Sequence, residues 1–67
     1  MNSSFGRIVI YPKDVQRLTG KSEKFSRMLL KKIRQYMAKQ EHQFVSIEDF
    51  AEYTGITVNL VRQHLVD

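Results

Sequence analysis

One pattern occurs twice in this 67-residue chain: Asp, apolar, two variable residues, apolar, Thr-Gly, one residue, Ser or Thr, two residues, apolar. The first copy runs from Asp14 through Thr19-Gly20 and Ser22 to Phe25. The second runs from Asp49 through Thr54-Gly55 and Thr57 to Leu60. Glycine after a run of helix formers is the residue that closes a helix in the left-handed conformation. A Ser or Thr two positions later is a helix N-cap. Each copy therefore predicts a short helix, a tight turn and a second helix crossing the first, which is a helix-turn-helix unit.

Apolar positions continue the match at the same offset of 35. Ile10 corresponds to Val45, Val15 to Phe50, Leu18 to Tyr53 and Leu30 to Leu65, and Arg27 also falls on Arg62. An internal repeat of residues 10–30 and 45–65 accounts for this, and so does the chance likeness of two ordinary helix-turn-helix units.

The flanking residues extend these elements. Arg7–Ile10 is a β-branched run and predicts a strand. Pro12 then suits the first turn of a helix over 12–19. A longer helix is expected over 22–40, with Phe25, Met28, Leu29, Leu30, Ile33, Tyr36 and Met37 forming its apolar arc. Phe44–Val45 predicts a second strand. Ser46 and Asp49 form a capping box opening a helix over 47–54, and Thr57 caps a last helix over 57–66. The expected fold is mainly α: one winged-helix-like helix-turn-helix domain over 1–67 with a minimal two-stranded sheet.

The charge is divided along the chain. Residues 1–40 carry ten cations and two anions, a net +8, while residues 41–67 carry one cation and five anions, a net −4. Such a split assigns one face to a polyanion and another to something else. On the long helix, Lys24, Arg27, Lys31 and Arg34 stand at i, i+3, i+7 and i+10. At 100° per residue they fit within about 80° of the circumference, a straight cationic stripe. Glu23, four residues before Arg27, is the one acid on that helix at ion-pair spacing.

In DNA-binding versions of this unit the start of the second helix enters the major groove. Lys21, Ser22, Lys24 and Arg27 occupy that start and are expected to contact base edges or phosphates. Arg17, Lys31, Lys32 and Arg34 are expected on the phosphate backbone. The second copy opens with Glu48, Asp49 and Glu52, which repel phosphate, so it is expected to pack or to hold a partner. Thr57, Asn59, Arg62 and Gln63 are residue types able to read bases but lack surrounding cations.

The run from Ile10 to Ile33, followed by Phe44-Val45-Ser46-Ile47-Glu48-Asp49-Phe50, resembles phage excisionases and related small winged-helix proteins of bacterial mobile elements. In that family a strand and a helix-turn-helix precede a wing whose last strand leads into an acidic helix start. The likeness covers about residues 8–55 and implies DNA binding in transcription regulation or site-specific recombination, with bending or co-operative assembly. Two features differ. The second helix is longer than in excisionases, and only Glu41, His42 and Gln43 separate it from the next strand, which leaves almost no wing.

Other classes fit less well. The chain has no cysteine, and His42 and His64 are too far apart for a metal motif, so neither metal nor cofactor is expected. No catalytic motif emerges, and a chain this small offers little room for a dry pocket of about 300 Å³. No apolar run approaches the roughly 20 residues of a membrane span, and Met1-Asn2-Ser3-Ser4 lacks the regions of a signal peptide. The expected compartment is the cytoplasm. Tyr36 and Tyr53 are expected as core edges, and Met28 and Met37 as gap fillers. Duplex DNA is the expected partner ahead of RNA, since exposed aromatic platforms are lacking. The alternative is a protein-interaction module in which the acidic second half, or exposed Val58, Val61 and Val66, holds a second copy or another subunit.

Overall fold

The structure, a computed structural model, describes residues 8–65. Four helices follow in order: α1 (Pro12–Thr19), α2 (Glu23–Tyr36), α3 (Ile47–Thr54) and α4 (Val58–His64). The architecture is mainly α. The sequence expectations for residues 1–7 and 66–67, including Arg7 in the first strand, lie outside the described residues, and α4 ends at His64 with Leu65 extended, short of the expected end at 66.

Local chemistry explains each boundary. Pro12 opens α1, and the Asp14 carboxylate accepts from the Tyr11 N–H at 2.8 Å. Gly20 closes α1 at φ 74°, its N–H donating to Gln16. The Ser22 hydroxyl oxygen caps α2 by accepting from the Phe25 N–H at 3.1 Å. The second half uses the same devices. Asp49 accepts from the Ser46 N–H, Gly55 closes α3 at φ 81°, and Thr57 caps α4 by accepting from Leu60. Thr19 and Thr54 also act alike. Each donates its hydroxyl to the carbonyl four residues back at 2.7 Å and accepts from the N–H two residues on at 3.2 Å.

α2 ends four residues earlier than periodicity predicts. Ala38 takes the left-handed conformation at φ 58°. Its N–H donates to Gln35 and that of Lys39 to Arg34 at 2.8 Å. This is a Schellman closure built on alanine, where glycine is the usual occupant. Without a glycine to mark it, the stop was invisible in the sequence.

The expected two-stranded sheet does not form among the described residues. The two extended segments meet at a single antiparallel bridge, Val9 with Ser46. The Ile10 N–H donates to Val45 and the Ile47 N–H to Ile8, both at 2.9 Å. Tyr11 and Ser46 turn their chains straight into α1 and α3, so no ladder has room to grow. The segment between α2 and the bridge holds a local turn in which the Gln40 N–H donates to the Gln43 side chain. It supplies no hairpin wing.

α1 packs on α2 and α3 on α4, while α3 also meets α2 and α4 meets α1. The core between them is Ile10, Val15, Leu30, Ile33, Val45, Ile47, Phe50, Val61 and Leu65. Val61 is fully buried, which corrects its expected exposure; Val58 is half-buried against the core. The apolar arc of α2 is narrower than expected. Leu30 and Ile33 are buried and Leu29 and Met37 are partly so, but Phe25, Met28 and Tyr36 are exposed. Met28 is therefore no gap filler. Ser26 of α2 is fully buried, its hydroxyl donating to the Ser22 carbonyl at 2.9 Å.

Candidate nucleic-acid interface

α2 carries most of the candidate residues because its caps and its core edge fix which wall faces out. Leu30 and Ile33 point inward. With 3.6 residues per turn, Lys24 and Lys31 then lie almost opposite the core and Arg34 falls near its rim. The burial pattern agrees: Lys24, Arg27, Lys31 and Lys32 are exposed, and Arg34 is half-buried. From Lys24 to Arg34 the stripe is about 15 Å long at 1.5 Å rise per residue.

Charge pairing divides the stripe. Arg27 is ion-paired with Glu23 one turn back. Lys24, Lys31, Lys32 and Arg34 have no hydrogen-bonding or ion-pairing partner among the described residues. Lys39, near the end of α2 but off the stripe, lies 3.2 Å from Asp49. It is the one cation of the first half that an acid from the second half neutralises among the described residues.

The remaining candidates sit beside this wall. Lys21 lies in the turn, with its ammonium 5.7 Å from the centre of the Phe25 ring, a cation–π contact. The Ser22 oxygen is committed to its cap, which leaves its O–H to donate. Arg17 is separate. It projects from α1 with its guanidinium 3.9 Å from the buried Asp14 carboxylate and half of its side chain exposed. Lys32 stands about 80° round the helix from Lys24, on the side away from Arg34.

Sequence periodicity missed two features of this face. Phe25 and Met28 are about 40–50% exposed and stand among the lysines, so the wall is cationic and partly apolar. Placing them in the core was the natural assumption for apolar residues at helical spacing. The second feature is an open cleft of about 350 Å³ beside the stripe, lined by apolar residues including Tyr11, Leu30 and Phe44 and by Arg27 and Arg34. Tyr11 and Phe44 meet there edge to face at 6.3 Å. Tyr36 and Tyr53 form a similar pair at 5.2 Å, and Tyr36 is far more exposed than a core edge would be; with Tyr11, Phe25 and Phe44 exposed as well, the expected lack of exposed aromatics is corrected.

In the second half, Asn59 and Gln63 of α4 are exposed and Arg62 is half-buried. His64 turns back along α4, its Nδ1 2.9 Å from the Leu60 carbonyl. Among the described residues no three metal-ligating side chains converge, and no helix is long and apolar enough to cross a membrane.

Comparison of the chain with protein-family models, with curated proteins and with solved structures finds no match.

Proposed function

We propose that the chain is a non-enzymatic, cytoplasmic helix-turn-helix protein that binds duplex DNA through the outer wall of α2. The observation that carries this reading is the state of Lys24, Lys31 and Lys32. All three are exposed on one helix with no carboxylate partner among the described residues. Unpaired like charges on one rod repel each other, and a phosphate backbone relieves that repulsion while releasing its own counterions. A single α-helix fits the major groove, about 12 Å wide.

Within this interface Lys21, Lys24 and Arg27 lie at the N-terminal end of α2, the end that reads base edges in helix-turn-helix complexes. Lys31, Lys32 and Arg34 take the flanking phosphates. Met28, exposed between Lys24 and Lys31, is placed to touch a thymine methyl group. Ser22 contributes through its free O–H. The likeness to excisionases extends this reading to transcription regulation or recombination of a bacterial mobile element. With no wing among the described residues, α2 and the turn before it carry the contact.

The test is fluorescence anisotropy with labelled duplex DNA on the wild type and on R27E/K31E, with circular dichroism to follow the fold. The double variant should lose binding and keep its helices. Unchanged affinity would move the interface elsewhere. Competition by structured RNA distinguishes the two nucleic acids, and duplex DNA should compete better.

A further inference from the structure

The two halves of the chain are one architecture with inverted surface charge. Positions 35 apart do the same work: Asp14 and Asp49 receive the N–H that starts their helix, Thr19 and Thr54 bridge the turn, and Gly20 and Gly55 close it. The helix contacts also exchange as a set, since swapping α1 with α3 and α2 with α4 returns the same packed pairs. Ile10 and Val45, equivalent to each other, are joined by a hydrogen bond at the junction of the two halves. These relations describe an approximate two-fold arrangement within one chain.

The charge breaks that symmetry at two exposed positions. Lys13 of α1 corresponds to Glu48 of α3, and Arg17 corresponds to Glu52. All four side chains are exposed. On each helix the two charges are four residues apart, one turn, and so share a face. One helix thus presents two cations where its structural counterpart presents two anions, on matching backbones.

We propose that the outer face of α1 in one copy docks on the outer face of α3 in a second copy of this chain. Charge complementarity identifies the occupant: a like-shaped helix with opposite charges at the same spacing lets two ion pairs form at once, Lys13 with Glu52 and Arg17 with Glu48 in an antiparallel pairing. The α1 face meets the α3 face and not itself, so the contact is isologous where both such pairs form about one two-fold axis and heterologous where only one forms. It either closes reciprocally into a dimer or propagates as an open chain. Arg17 then serves a protein contact, with phosphate left to the wall of α2. Exposed ion pairs are weak and screened by salt, so the association is weak and electrostatic.

Sedimentation velocity of the full chain, with no nucleic acid present, tests this independently of the DNA-binding reading. At about 0.05 M salt the weight-average sedimentation coefficient should rise as protein concentration approaches about 1 mM, and the rise should vanish at about 0.5 M salt. E48K/E52K bears cations on both helices and K13E/R17E bears anions on both, so each alone should remain monomeric. An equimolar mixture of the two should regain association. E52K alone, away from the helix start, serves should E48K disturb the fold. A wild type that stays monomeric at low salt, charge-reversed variants that associate as well as the wild type, or a mixture that fails to associate would each overturn the proposal.

Discussion

The Lys39 ammonium lies 3.2 Å from the Asp49 carboxylate, tying the segment that leaves α2 to the first turn of α3. Asp49 is at once the capping residue of α3 and the partner of this cation. Burial raises its pKa, but hydrogen bonds from Ser46 and the hydrogen bond and charge of Lys39 outweigh that, and its carboxyl titrates below the ordinary value of 3.8.

A carboxyl lowered in the folded state adds stability that is fully present above its unfolded value and lost as pH falls through its folded value. Asp49 therefore contributes at neutral pH and loses that contribution below about pH 3.8. D49N should melt at a lower temperature than the wild type at pH 7, and the gap should narrow in acid. Thermal melts at pH 7, 4 and 3 measure it; a gap that widened towards acid would contradict the assignment. K39A should cost at most about 1 kcal/mol at neutral pH, since both partners are partly exposed to solvent.

Ala38 holds a left-handed conformation that an L side chain resists and glycine accepts. A38G should stabilise the chain by about 0.5–1 kcal/mol, the strain relieved exceeding the added freedom of the unfolded chain. That corresponds to a rise of roughly 2–8 °C in Tm for a domain this small. Calorimetry reads the shift directly, and a lower Tm would show that the closure after α2 owes nothing to backbone strain.

The core and the exposed wall should respond differently to truncation. Phe50 is completely buried at the centre of the cluster. F50A should cost about 3–5 kcal/mol, comparable with the whole stability of a core this small, and should abolish cooperative unfolding. Phe25 is 41% exposed, and F25A should cost under about 1 kcal/mol. Urea titrations followed by circular dichroism compare the two. Equal losses would return Phe25 to the core.

Capping chemistry made most of the backbone legible. Pro12, Gly20, Ser22, Ser46, Gly55 and Thr57 each act by a local rule, so α1 and α3 have the expected bounds and the starts of α2 and α4 are right within one residue. Where no local rule marked the event, expectation failed. The stop after Tyr36 depends on an alanine in a glycine's role. The sheet shrank to one bridge because helices begin immediately on both arms. Periodicity could place Leu30 and Ile33 inside, but it could not show that Phe25 and Met28 lie beyond the reach of so small a core. Of the candidate interface, the α2 stripe was legible as spacing. The pairing of Arg27 with Glu23 was legible too, as four-residue spacing, whereas the exposure of Phe25 and Met28 among the lysines was not, because that depends on how far the core reaches.

Binding of duplex DNA as a function of salt tests the central claim most directly. If Lys31, Lys32 and Arg34 neutralise about three phosphates, log K should fall against log salt with a slope of about −2.7. Reversing Lys31 and Lys32 together should reduce that slope by about two units. A flat salt response, or affinity indifferent to both reversals, would contradict the proposal that the outer wall of α2 meets DNA.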